Sequence, residues 1–362
     1  MFVERTSVGL DVHARSVVAS ALDTVTGEVV EARLVPDNEI VTEWVRRLPG
    51  PWAVAYEAGP TGYGLARHLA AVGIRCEVAA PSKLQRPSGD RVKTDLRDAR
   101  HLGKLLRLDE IVAVRVPSVE QEQARDLVRA REDARQDLMR ARQRLSKLLL
   151  RHGHVYSGGN AWTLKHDVWL RSVRFTDPVG SITFDSDYDA VLTVTARRDR
   201  LDTAIETMAV DSLYTPVVAR LGCLRGVSTL TAFALAVEIG DWERFTGRSI
   251  GAYVGLVPTE SSSGEHTARG SITKAGNGHA RRLLVEAAWH HRKPYRPGVT
   301  LRRRWDAAPA AARARGDAGN RRLQRRWAAF DARSKKPTIA CVAIARELAG
   351  WTWSLATLDP DT

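Results

Sequence analysis

The chain has 362 residues, 44% of them hydrophobic, and a formal net charge of +13 at pH 7. That length supports two or three domains with real cores, and no run of about 18 apolar residues is present to span a membrane. Cys76, Cys223 and Cys341 lie far apart and fit no metal spacing, and the N-terminus lacks the pattern of a signal peptide, so a reducing, cytoplasmic setting is expected.

Residues 7–22 and 28–34 alternate as strands do, with Thr26-Gly27 as the turn between the second and third. A short helix is expected over Asn38–Leu48, a strand over 52–57, a helix from about Gly62 to Val72 and a strand over Cys76–Ala79. A helix then starts near Thr94. The first apolar run ends in Asp11 and the fourth in Glu57, while Asp95 and Asp98 lie three apart on one face of the late helix. Four hard oxygen donors meeting in space suit Mg²⁺ or Mn²⁺, and such ions drive phosphoryl displacement. The order β-β-β-α-β-α-β-α matches a ribonuclease H-like (RuvC-like) α/β core, which groups acids from these same elements.

From Pro117-Ser118 a long helix is expected. Ala124, Leu127, Arg131, Ala134, Leu138, Ala141, Leu145 and Leu148 alternate in steps of three and four, the spacing of a coiled-coil seam. Two readings stay open for it: a helix packed on its own chain, or a dimerising coiled coil. Residues 153–192 read as irregular, and a second helix fits Leu192–Met208. Trp162, His166 and Trp169 in this stretch are expected to pack as buried aromatics, without chemistry of their own. Leu224-Arg225-Gly226-Val227-Ser228 resembles a helix-hairpin-helix turn, with Ser228 where a second glycine is usual.

Charge is distributed unevenly. Residues 1–112 hold 15 Lys/Arg against 15 Asp/Glu, so the whole excess lies beyond them, and residues 266–336 alone hold 19 against 4. Aromatic residues are interleaved there, at Trp289, Tyr295, Trp305 and Trp327. That mixture favours phosphate contact with base stacking, and so a nucleic-acid partner. Ahead of it, Gly255-Leu256-Val257-Pro258-Thr259-Glu260-Ser261-Ser262-Ser263-Gly264 reads as a hydroxyl-bearing loop. A cationic, glycine-rich segment follows, through Arg269, Lys274, Asn277, Arg281 and Arg282. Any of the three serines could serve as a phosphodiester nucleophile.

Asp11, Glu57, the Lys93-Thr94-Asp95-Leu96-Arg97-Asp98-Ala99 segment and the serine tract together resemble the DEDD insertion-sequence transposases. These are bridge-RNA-guided recombinases related to the pilin-gene invertases. The resemblance runs through residues 5–110 and 220–290. It implies a RuvC-like domain over 1–112, an α-helical coiled-coil connector over 113–215 and a mainly α transposase domain over 216–362. It makes Asp11, Glu57, Asp95 and Asp98 the Mg²⁺ ligands (Mn²⁺ being the close substitute) and Ser263 the nucleophile that forms a phosphoserine link to DNA. It further implies target and donor DNA as substrates, a guide (bridge) RNA, and a homodimer or homotetramer acting at the bacterial nucleoid. Lys93, Arg269, Lys274, Asn277, Arg281 and Arg282 are the candidate nucleic-acid contacts near the two motifs. Arg321, Arg322, Arg325 and Arg326 are candidates in the C-terminal region. The rival reading is a Mg²⁺-dependent Holliday-junction-type nuclease that attacks with water.

Overall fold

The computed structural model describes residues 3–84, 94–263 and 266–359, and they divide into two compact units, 1–118 and 119–362.

The first unit is a five-stranded sheet with helices on both faces. Its elements are β1 (Thr6–Val12), β2 (Val17–Asp23), β3 (Val29–Leu34), α1 (Asn38–Arg46), β4 (Trp52–Glu57), α2 (Gly64–Ala71), β5 (Arg75–Ala79) and α3 (Asp95–Arg107). The strand order is β3-β2-β1-β4-β5. β1, β2 and β3 pair antiparallel, and β4 pairs parallel with both β1 and β5. This mixed sheet is consistent with a ribonuclease H-like fold.

Alternation along β1 sends its residues to two different layers. Val8 and Leu10 join a core with Val41, Val45, Leu65 and Leu69 of α1 and α2. Ser7, Gly9 and Asp11 face the other way, toward α3. The Ser7 hydroxyl donates to the Gly103 carbonyl at 2.7 Å. A Cβ on Gly9 would stand 1.9 Å from the Ala99 carbonyl oxygen and 2.4 Å from the Gly103 nitrogen, so the strand and helix backbones touch there. Ser7 to Asp11 rises roughly 13 Å along a strand, and Gly103 back to Asp95 roughly 12 Å along a helix. The helix runs down as the strand runs up, and the start of α3 meets the end of β1.

The second unit is mostly helical. It contains α4 (Val119–Arg151), α5 (Leu164–Ser172), α6 (Pro178–Val210), α7 (Thr215–Leu221), α8 (Thr229–Ile239) and α9 (Ser249–Tyr253). A hairpin of β6 (Pro258–Ser263) and β7 (His266–Ile272) comes next. After it come α10 (Gly278–Trp289), α11 (Val299–Asp306), α12 (Ala310–Asp331) and α13 (Pro337–Ala356). A core built from α7, α8, α10, α12 and α13 surrounds Phe233, Leu284, Trp327 and Ile344.

Two expectations are corrected here. Residues 153–192 are not wholly irregular: they hold α5 and nearly half of α6. Pro178 occupies the first turn of α6, where its missing N–H costs nothing, and Asp177 caps that turn by accepting from the Gly180 amide. The serine tract is not a loop but one arm of a hairpin, with Glu260 paired to Arg269 and Ser261 to Ala268.

The seam on α4 is used within the chain. Ala124, Ala134, Leu138, Ala141, Leu145 and Leu148 are buried. Ala124 and Val128 share a core with Ile205 and Ala209 near the end of α6, while Leu145 and Leu148 share one with Phe184 and Val191 near its start. The pair is therefore antiparallel. Arg131, the polar break in the seam, reaches Asp202 of α6 at 2.6 Å.

The contact at Gly9 yields a graded prediction. Gly9→Ala should lower unfolding free energy in a denaturant titration by about 1–3 kcal/mol, the usual cost of overpacking. Gly103→Ala should cost less, because its nearest neighbour, the Gly9 nitrogen, lies 3.3 Å from the added carbon. Equal, negligible effects would show that α3 is not pressed onto β1.

Candidate functional site

Asp11 is the last but one residue of β1, and Glu57 ends the parallel neighbour β4, each one step beyond the paired Leu10 and Tyr56. Asp95 opens α3. Thr94 caps that helix by accepting from the Arg97 amide, which fixes where the first turn begins. Asp98 lies in the same turn.

The side chains converge at the end of β1. Ligand atoms of Asp11, His13 and Asp95 all lie within 4.8 Å of one another, the one such group among the described residues. His13 Nε2 is 3.1 Å from Asp11 Oδ2 and 3.9 Å from Asp95 Oδ1. Burial pushes the Asp11 carboxyl up from its ordinary value; His13 works against this, and the negative charges of Asp95 and Asp98 add to it. Asp98 is thus close enough for its charge to be felt at Asp11. Glu57 is half-buried on the adjoining strand end and is not part of the tight group. Two carboxylates and an imidazole fit a hard divalent ion, Mn²⁺ accepting the nitrogen more readily than Mg²⁺. An open cleft of about 640 Å³ runs beside the cluster, lined by Glu31, Arg33, Thr94 and Asp95 among others.

His13 is the residue that sequence reasoning missed. Its signal was its position two residues past Asp11, at the turn where its backbone N–H donates to the Ser16 carbonyl. Lys93 lies outside the described residues.

In the second unit Ser263 ends β6 and pairs with His266 across the hairpin. The base of the hairpin is locked by two glycines. A Cβ on Gly255 (φ +67°) would stand 2.3 Å from the Ala275 carbonyl oxygen, and one on Gly276 (φ +64°) 1.8 Å from that of Tyr253. These glycines let backbone approach backbone. Arg281 closes the same junction, donating to the Val254 and Ala275 carbonyls at 3.0 and 2.9 Å.

Most of the other cations named from sequence have partners inside the chain. Arg269 faces Glu260 at 3.5 Å. Arg282 pairs with Glu286 at 2.6 Å and also with Glu132. Arg321 pairs with Asp317 at 2.8 Å, while Arg322 and Arg326 share Glu347. Lys274 and Arg325 are exposed. Asn277 caps α10 and donates to Glu238 at 2.7 Å.

Glu238 is 1% exposed and also meets Arg129 at 3.2 Å and His279 at 3.1 Å. Sequence alone did not reveal this acid, which sits in an otherwise apolar helix.

Residues 8–153 match the model of a DEDD transposase domain, and residues 218–298 match the model described as "Transposase IS116/IS110/IS902 family". A Sinorhizobium fredii protein named "Putative transposase y4qE" is 42% identical over 83% of this chain and 74% of its own length. The transposase for insertion sequence element IS1533 of Leptospira borgpetersenii is 31% identical over 91% of this chain and 97% of its own. The chain belongs to the IS116/IS110/IS902 family of transposases. The first match covers the acid cluster and α4, and the second covers the α8 core, the hairpin and α10. Among the described residues, no helix is long and apolar enough to cross a membrane.

The Glu238 cluster gives a prediction with a definite sign. Burial works to raise this carboxyl, but hydrogen bonds from His279, Arg129 and Asn277 outweigh it and hold it at about 2, against an ordinary 4.5. Its stabilising contribution is therefore complete above about 4.5 and lost as pH falls toward 2. Glu238→Gln should cost about 1–3 kcal/mol at neutral pH, by weakening the charge-assisted hydrogen bonds that exposed Arg129 and half-buried His279 and Asn277 make to this buried carboxylate. It should also flatten the acid limb of stability against pH. Parallel acid limbs in variant and wild type would remove Glu238 from the account.

Proposed function

We propose that this transposase cleaves and joins DNA strands of its own element through a covalent phosphoserine at Ser263, with a divalent ion, Mg²⁺, held by Asp11, Glu57, Asp95 and Asp98. The observation that carries the reading is the meeting of Asp11, His13 and Asp95 at the end of β1 in a chain of this family. Bound there, Mg²⁺ would stabilise negative charge developing on phosphoryl oxygens. His13 would lie beside the ion as a further ligand or as an orienting partner for Asp11. The Ser263 oxygen would bond to phosphorus, and one phosphodiester oxygen would leave carrying the proton. A hydroxyl of another strand would later reverse that bond and complete the exchange.

Guidance by a bridge RNA belongs to the same proposal. It is supported by the strongly basic second unit, whose exposed cations suit phosphate contact without reading base edges. Lys274 and Arg325 are the best placed of the candidates to meet phosphate. Arg269, Arg321, Arg322 and Arg326 would have to exchange an internal carboxylate for one. Strand exchange calls for at least two nucleophiles, so a dimer or tetramer is proposed on that ground. The seam on α4 does not support it, being already buried by α6.

Ser263→Ala should bind nucleic acid yet form no protein–DNA adduct on denaturing gels, while Ser261→Ala and Ser262→Ala retain the adduct. Cleavage by wild type with no adduct would favour attack by water at the acids. Mixing Asp11→Asn with Ser263→Ala protein, each inactive alone, should restore cleavage if acids and serine come from different protomers. No recovery in co-assembled oligomers would place each site within one chain.

A further inference from the structure

A second cleft, lined by none of the acids or serines named above, lies on the α4–α6 pair beside the turn that leads into α5. Its volume is about 380 Å³, and it is lined by Arg135, Leu138, Met139, Arg142, Lys147, Trp162 and Arg198 among others, with no carboxylate in the lining. Clefts of roughly 300–1,000 Å³ hold small ligands, so one nucleotide fits and a duplex does not.

The Trp162 ring is held in place by its surroundings. Its backbone has φ +64°, a left-handed conformation that a bulky residue adopts only under constraint. The Arg142 guanidinium lies over the ring at 4.9 Å. Behind it His166, 5% exposed, packs edge-on at 5.0 Å and also contacts Tyr156 and Trp169. The α5 segment that carries His166 is tied to α6, since Asp167 accepts from the Tyr188 hydroxyl at 2.6 Å. Trp162 is therefore fixed: it packs, half-buried, against the core of Leu138, Leu145 and Phe184 and lines the cleft with what remains exposed.

Of the cations around it, Arg135 and Arg198 already meet Glu132 and Asp199, and Arg142 pairs with no carboxylate among the described residues. The Arg142 Nε is buried and has no hydrogen-bond partner. Burial pushes the Arg142 guanidinium down from its ordinary value; Arg198 adds to this and Asp199 opposes it. A neighbouring cleft of about 590 Å³ shares Gln143 and Lys147 and continues along α4 past Arg144 and Arg151, with Asp187 of α6 as its one carboxylate. Arg144, Lys147 and Arg151 are exposed on one face of that helix.

We infer that this cleft binds one unpaired nucleotide of a single-stranded nucleic acid. The base stacks on Trp162, the phosphate lies among Arg142, Lys147 and Arg198, and the strand continues along Arg144 and Arg151. An aromatic platform in a positive groove is how unpaired strands are held without sequence preference. The inference rests on the proposed nucleic-acid activity and adds a site to it. RNA and DNA strands share this chemistry, and the test separates them.

The test uses the full chain and fluorescence anisotropy with a labelled single-stranded RNA, the same sequence as DNA, and its duplex. Trp162→Gly removes the ring and suits the left-handed backbone. It should weaken single-strand binding about tenfold, the scale of one lost stack, and leave duplex binding unchanged. Trp162→Phe should keep most of the affinity. In strands carrying 2-aminopurine, one position should be quenched by wild type and not by Trp162→Gly. Comparison of the RNA and DNA strands identifies the natural ligand. Unchanged single-strand binding by folded Trp162→Gly, or equal loss on single strands and duplex, overturns the inference. Wild type that binds duplex but no single strand overturns it alone, and wild type that binds no nucleic acid overturns the proposed activity with it.

Discussion

The geometry of the acid cluster depends on one contact, the backbone approach of α3 to β1 at Gly9. The Ala99 carbonyl and the Gly103 nitrogen occupy the space that any side chain at residue 9 would need. Pressed that close, the helix can run back along the strand only so far before its first turn meets the strand end. The cap at Thr94 then decides that the residue arriving there is Asp95. Three small features, a glycine in a strand, a hydroxyl at Ser7 and a threonine cap, bring together carboxylates more than 80 positions apart in the chain.

Crowding acids has an electrostatic cost, visible at Asp11. Its carboxyl is pushed up mainly by burial, with Asp95 and Asp98 adding to the effect, and the His13 imidazole only partly opposes this. Such a cluster destabilises itself when ionised and gains most from a bound cation. The second unit solves the opposite problem. Its excess of arginine is partly neutralised by internal acids, as at Glu347 and Glu132. What remains exposed is concentrated on particular faces, and the α4 stripe beside Trp162 is one of them.

Much of the first unit was legible in the sequence because strand alternation, glycine stops and a threonine cap are local signals. All five strands fall where patterning puts them, and the acids stand at strand and helix ends because apolar runs stop there. The second unit was less legible for physical reasons. Asp177-Pro178 starts a helix inside a stretch that reads as irregular, since proline is as compatible with the first turn as it is hostile to the interior. The serine tract lacks strand-forming residues, and its hairpin is imposed by the glycine junction at 255 and 276, which only tertiary structure reveals. The roles of Arg281 and Arg282 were hidden because an arginine that closes a turn or meets an internal acid looks like any surface cation in sequence. His13 was missed because it follows the strand rather than ending it.

The account stands on the claim that these acids hold a divalent ion before any nucleic acid arrives. Electron paramagnetic resonance of Mn²⁺ titrated into the full chain measures this directly. The account predicts saturable binding by wild type, weakened about tenfold or more in Asp11→Asn and in Asp95→Asn. It also predicts a smaller loss in His13→Gln and displacement of the ion by Mg²⁺. Equal Mn²⁺ affinity in wild type and both aspartate variants, with all three folded, would contradict it.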